Sequence, residues 1–359
     1  TMGLASYGDP GGPKGMLDPF YPKYSGGDLV EPHDFGPVYV WHDGGTNHWH
    51  FEDADRMRSL VECYGREQFA AAAQSILEDQ VISIVSSWIE REGVTDVCCA
   101  GGVFLNVKMN GKMWEHESVR SCHVFPNAGD SGLALGAALE VYHRLTPGSS
   151  ISSLGDIYWG PGFTNEEIGR VLDDRGLTVA YEDNVEGFAA ERLSEGKIVG
   201  WFQGRMESGP RALGNRSILM SPMKADNKDT INQRVKYRES FRPFCPSILD
   251  EKKEEYLTSS RPEPFMISSF KSKREKREKI PAVVHVDYTL RPQIVEGRTN
   301  RPFWNLIKAF GDITGEYAVL NTSFNIQGEP IVCHPREAIR CFYDTGMDCL
   351  IMGNYILSK

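Results

Sequence analysis

The sequence contains no run of the roughly 18–20 apolar residues that a membrane span requires. Its opening, TMGLASYGDPGG, has neither a basic n-region nor an apolar h-region, so no secretory signal is expected. Among the eight cysteines there is no C-x-x-C pair, and Cys98 and Cys99 are adjacent inside an apolar run. Buried free thiols in a reducing cytoplasm are the expectation. A basic excess is also missing. Thirty-nine Lys and Arg face 49 Asp and Glu, for a net charge of −10. That excludes broad nucleic-acid binding, which needs a basic footprint. A local cationic cluster in such a chain therefore holds an anion or forms a solvated face. The nine histidines (33, 42, 48, 50, 116, 123, 143, 285 and 334) include no pair four apart, so no single helical face offers two imidazoles to a metal. No Ser/His/Asp or Cys/His nucleophile arrangement stands out. This points to chemistry by positioning and electrostatics.

What is present is a chain of 359 residues, 40% apolar and 25% charged, enough for about two globular domains. Residues 1–52 are rich in Gly, Pro, Asp and His and read as loops with short strands such as 38–41. A helical pattern covers 51–91 and stops at Gly93. Then come a strand at 96–100, a helix near 106–114, a strand at 123–125 and a helix at 133–144. Strand, glycine turn and helix, repeated, is α/β architecture with functional loops at the strand ends. Residues 146–150 resemble a linker. Beyond it the pattern predicts helices at 165–174, 185–195 and 335–344 and strands at 177–181, 198–203 and 316–321. The charge run at 271–279 reads as a solvated surface loop.

Five segments carry chemistry. Ala100-Gly-Gly-Val-Phe-Leu-Asn106 lets backbone N–H groups approach a phosphate or ribose, or is a tight turn. In Asn127-Ala-Gly-Asp130-Ser-Gly, Asp130 reads equally as a metal or phosphate-site carboxylate and as a helix cap. Gly204-Arg-Met-Glu-Ser-Gly-Pro-Arg-Ala-Leu-Gly-Asn-Arg-Ser217 holds three arginines among small residues. Their forks suit phosphate or carboxylate oxygens, so Arg211 and Arg216 are both read as functional. In Lys236-Tyr-Arg238-Glu-Ser-Phe-Arg242-Pro an extended backbone would project Lys236 and Arg238 to one face, and Glu239 supplies a single counter-charge. Asn321-Thr-Ser-Phe-Asn325 ends a strand in a turn rich in hydroxyl and amide groups.

Together with Met2-Gly-Leu-Ala-Ser-Tyr-Gly and Arg291-Pro-Gln, these segments resemble the carbamoyltransferase family that includes nodulation-factor and antibiotic O-carbamoyltransferases. The resemblance implies an α/β chain with two modules. Residues 1–148 would be the C-terminal portion of an actin/Hsp70/sugar-kinase-like (ribonuclease H-like) domain. Residues 149–359 would be a YrdC-like domain with a twisted mixed sheet, its signature carried by Lys236-x-Arg238 and Ser323-x-Asn325. It implies ATP-dependent conversion of carbamoyl phosphate to carbamoyladenylate, then transfer to a hydroxyl of a small-molecule acceptor. Lys236, Arg242, Arg211 and Ser323 would be catalytic, with Arg238, Arg291, Asn321 and Asn325 binding substrate and nucleotide. Gly101, Gly102, Val103 and Asn106 would touch a second nucleotide, and Asp130 would hold an iron-type divalent metal or Mg²⁺. The family's other metal ligands lie in an upstream His-x-x-x-His helix that this sequence lacks, so a C-terminal fragment with an incomplete metal and acceptor site is expected. Two alternatives remain at this level: a threonylcarbamoyl tRNA-modifying enzyme, which the net charge disfavours, and a nucleotide-binding regulatory protein without turnover. No nucleic-acid or membrane partner is expected, and the sequence is compatible with a homodimer.

Overall fold

A computed structural model describes residues 2–31, 40–42, 46–48, 51–150 and 154–359. Packing divides the chain into two compact units. Unit 1 comprises Thr1–Cys99 and Lys108–Val124; unit 2 comprises Ala100–Val107 and Phe125–Lys359. Residues 100–107 and 125–148, assigned from the sequence to the first module, thus pack with the C-terminal residues.

Unit 1 is built on the helix Arg66–Glu92, which follows the helix Phe51–Tyr64. Its alanine-rich face, Ala70–Ala72, is buried. Gly93 ends it in the left-handed conformation (φ 68°), donating its N–H to the Ile89 carbonyl at 2.8 Å. That is the stop glycine supplies without a Cβ penalty. The strand Asp96–Cys99 pairs in parallel with Ser121–Val124. The expected strand at 38–41 is Val40–His42, and positions 38 and 39 fall outside the described residues. Not all thiols are buried: Cys63 and Cys98 are exposed.

Unit 2 holds an eight-stranded mixed sheet. Its spatial order is Gln293–Val295, Cys245–Leu249, Ala318–Ser323, Arg216–Met220, Val199–Phe202, Cys349–Met352, Tyr355–Ser358, Ala180–Tyr181. The central strands are apolar on both faces, as strands covered by helices on each side must be. Alternate residues serve opposite cores. Trp201, Leu219, Val319 and Ile351 pack with Phe303, Leu306 and Phe310 of the helix Arg301–Thr314 and with Val185–Ser194. Phe202, Ile218, Leu320 and Met352 pack with the helices Asn165–Asp173 and Pro335–Tyr343. Those last two helices begin with capping boxes at Thr164 and His334.

Two expectations change. The strand expected at 177–181 pairs only at Ala180–Tyr181. The charge run at 271–279 is only partly a solvated loop. Ser272 is fully buried, and Lys276 donates at 2.8 Å to Glu316, which also accepts from the Tyr256 hydroxyl at 2.9 Å. Arg277 also donates to Ser272, while Lys271, Arg274, Glu275, Glu278 and Lys279 stay exposed.

Candidate anion site

Antiparallel pairing sets Cys245, at the start of its strand, opposite Asn321, near the end of its own. Beside them the strand Ala318–Ser323 runs out into the polar turn. Here a cavity of about 180 Å³ opens, walled by Arg211, Arg238, Arg242 and Arg291 together with Asn321 and Ser323. Among the described residues, no carboxylate belongs to this wall. The four guanidinium groups repel one another. Arg291, with burial second, holds Arg211 down to about 9, and burial with Arg242 holds Arg238 at about 10. Arg238 is braced by Asn232 at 3.0 Å and lies over the Phe244 ring at 4.4 Å. Arg242 is exposed, with Glu239 3.9 Å away. Asn321 is fully buried. Its Nδ2 donates to Ser247 at 2.9 Å, while its Oδ1 has no hydrogen-bond partner among the described residues.

Lys236 stands behind the wall. The chain at Asn232–Lys236 is a widened helical turn, and Tyr237 takes the left-handed conformation (φ 46°). The shared face that an extended backbone would give Lys236 and Arg238 is therefore not formed. Lys236 is 4% exposed, and its ammonium reaches four oxygens: the Ser323 carbonyl (2.5 Å) and hydroxyl (3.3 Å), and the Asn325 carbonyl (2.9 Å) and side chain (2.7 Å). The lysine thus fastens the turn that supplies Ser323 to the cavity. Burial, with Arg238 adding, lowers it to about 7.

The loop 204–217 divides its arginines. Glu207, buried, accepts backbone N–H bonds from Leu213 at 2.5 Å and from Asn215 and Arg216 at 3.3 Å. Burial pushes its carboxyl up. Arg216, read as a ligand-binding residue, is fully buried instead. It donates to the carbonyls of Gln203 (2.7 Å), Asn215 (2.9 Å) and Pro161 (3.0 Å) and lies over Phe202 at 3.7 Å. Its charge is spent on the frame. Arg211, five residues earlier, stays on the cavity wall and approaches the Leu105 carbonyl at 3.5 Å.

That contact links the cavity to the glycine turn. Gly101 (φ 109°) donates to the Ala128 carbonyl at 2.7 Å, and Gly102, Val103 and Gly101 are exposed. Asn106 closes the turn, its N–H bonded to the Val103 carbonyl. Asn127 binds the Ser208 hydroxyl at 2.8 Å. A Cβ on Gly209 (φ 116°) would lie 2.0 Å from the Asn127 oxygen, so only glycine fits there. Asp130 lies on an exposed short 3₁₀ turn and caps no helix through its side chain. Among the described residues no group of three His, Cys, Asp or Glu gathers, while the side chains of His33, His42, His48 and His50 lie outside those described. The donors described do not fit a divalent-metal site.

The sequence reading missed Glu207, Asn127 and Cys245. Glu207 carried a signal: a lone acid in a glycine-rich loop, followed by several N–H groups that need an acceptor. Cys245 carried none beyond its place beside Arg242.

The family description "Carbamoyltransferase C-terminus" matches residues 190–359, and "Carbamoyltransferase N-terminus" matches residues 39–139. Nodulation protein NolO of Bradyrhizobium diazoefficiens is 37% identical over 366 residues, covering 100% of this chain and 65% of the relative. Nodulation protein NolNO of Sinorhizobium fredii is 37% identical over 365 residues, covering 100% and 52%. Nodulation protein U of Rhizobium tropici is 31% identical over 281 residues, covering 77% and 47%. The chain thus spans about half to two thirds of the length of these relatives. Among solved structures, full-length HypF in its phosphate- and nucleotide-bound form aligns over 47% of this chain and 25% of its own, at 20% identity and a TM-score of 0.34, too distant to carry an argument. Two models of one family, together spanning most of the sequence, and relatives matched along its whole length show that the chain belongs to the carbamoyltransferase family.

Proposed function

We propose that unit 2 binds carbamoyl phosphate in the four-arginine cavity and activates its carbamoyl group with ATP. The observation that carries this reading is a small cavity with four guanidinium groups and no carboxylate on its wall. Such a wall is unfavourable until an anion enters it. A small phosphate ester dianion fits both its charge and its size, and guanidinium forks suit phosphate oxygens. Asn321 adds an unpaired buried oxygen on the same wall, an acceptor of the kind a carbamoyl NH₂ needs.

Atom balance orders the chemistry. Carbamoyl phosphate loses its phosphate to water, and the carbamate oxygen displaces pyrophosphate from the α-phosphorus of ATP, giving carbamoyladenylate. Arg211, Arg238 and Arg291 offset charge as it moves onto the leaving oxygens, and the Lys236-fastened turn holds Ser323 in place. The exposed Gly101–Gly102 turn, joined to the cavity through Arg211, offers unhindered backbone to a nucleotide. Passage of the carbamoyl group to a hydroxyl of a small-molecule acceptor, with any divalent metal that step uses, is proposed for the longer proteins of the family.

The test is pyrophosphate release from ATP by the full chain. Release that requires carbamoyl phosphate, and falls at least tenfold in Arg291→Ala, is expected, because one charged hydrogen bond is worth about 1.5–3 kcal/mol. Carbamoyl-phosphate-independent release, or none, contradicts the reading.

A further inference from the structure

Cys245 lies on the wall of the four-arginine cavity. Arg291 donates its Nε–H to the Cys245 sulfur at 2.8 Å. The contact follows from strand register. Cys245–Leu249 and Gln293–Val295 pair in parallel with Ser247 opposite Gln293, and Cys245 and Arg291 each lie two residues upstream of that pair. Pro292 follows Arg291 and disfavours helical backbone there.

Arg291 needs such a restraint. Its charge is what most strongly depresses the neighbouring Arg211 guanidinium, so the two groups push each other apart. Arg238 has Asn232 and the Phe244 ring to hold it. For Arg291 the sulfur does this. A bond to Nε fixes the plane of the fork and leaves the two terminal nitrogens for a ligand, which is the geometry a bidentate anion contact uses.

We propose that Cys245 is a positioning residue of the anion cavity. It holds the Arg291 guanidinium in the orientation that grips a phosphate group. The proposal rests on the reading that this cavity binds the phosphate of carbamoyl phosphate.

Titration calorimetry of the full chain with inorganic phosphate tests it. The variants are Cys245→Ala, Cys245→Ser, Arg291→Ala and the double variant, each checked for an unchanged thermal midpoint. Cys245→Ala is expected to weaken phosphate binding about five- to tenfold, a fraction of what losing the arginine itself would cost. Cys245→Ser keeps an acceptor at the same place and should stay within about twofold of the parent. In the Arg291→Ala background the cysteine change should have almost no further effect, because its partner is gone. A purely structural cysteine would weaken both backgrounds alike. Parental affinity in Cys245→Ala, or equal losses with and without Arg291, overturns the proposal while leaving the anion site standing. Failure of the parent protein to bind phosphate overturns both.

Discussion

Arg216 and Arg211 stand five residues apart in one glycine-rich loop, yet they serve opposite purposes. Arg216 lies inside unit 2, with backbone carbonyls around its guanidinium and an aromatic ring beneath it. Arg211 lies on the cavity wall, beside a second arginine and with no carboxylate in that wall to neutralise it. A buried charge is tolerated when most of its hydrogen-bonding capacity is met by the protein, and both terminal nitrogens of Arg216 are bonded while its Nε has no partner among the described residues. Where it is not met, and like charges crowd, the surroundings are prepared for a ligand. Arginine content therefore does not locate a site. The distribution of acceptors does.

Substitutions can break that contrast. The largest effect should come from Arg216→Ala, which strands several carbonyls and removes the cation nearest Glu207. A loss of about 3–5 kcal/mol is expected. That corresponds to a fall of roughly 10 °C in the thermal midpoint for a domain of this size, read by calorimetry or circular dichroism. A midpoint within two or three degrees of the parent would show that Arg216 is not the frame residue described.

Arg211→Ala should do the reverse. It relieves repulsion with Arg291, so the midpoint should hold or rise slightly. Affinity for carbamoyl phosphate should fall about ten- to a hundredfold. A variant that unfolds early and binds normally would exchange the roles of the two arginines.

A smaller effect is expected from pH. Unfolded, Lys236 keeps its proton up to its ordinary value of 10.5; folded, it releases it at about 7. Between these values the unfolded chain binds more protons, so this group makes the fold more stable as pH rises through that window. An anion in the cavity favours the charged lysine, so anion binding should take up a proton. Sulfate, which does not titrate in this range, should bind more weakly as pH rises from 6 to 9. Lys236→Met should flatten that dependence. A pH-independent sulfate affinity in the parent would show that Lys236 does not feel the cavity.

Much of the frame was legible from residue order. The helix stopped by Gly93, the strands flanking the glycine turns and the helix starting at Pro335 follow local rules of capping and periodicity. Membership of the cavity was partly legible, because Arg211, Arg238, Arg242, Asn321 and Ser323 sit in unusual polar segments, while Arg291 came only from the family resemblance. What was not legible depends on distant partners. The widened turn that ends at Lys236 has no local signature, so the sequence could offer only the conditional reading of an extended backbone. Arg216 and Arg211 have similar neighbours in sequence and differ only through Phe202, Pro161 and Gln203, which other segments bring up. The charge run at 271–279 was partly misread for the same reason, since its anchor, Glu316, lies about forty residues away.

The central claim is that the four-arginine cavity of unit 2 is where carbamoyl phosphate sits. Crystals grown with carbamoyl phosphate and a non-hydrolysable ATP analogue test it most directly. Phosphate density is expected within hydrogen-bond reach, about 3 Å, of Arg211, Arg238 and Arg291, beside Asn321. Phosphate bound elsewhere on the chain, with this cavity holding solvent alone, would contradict it.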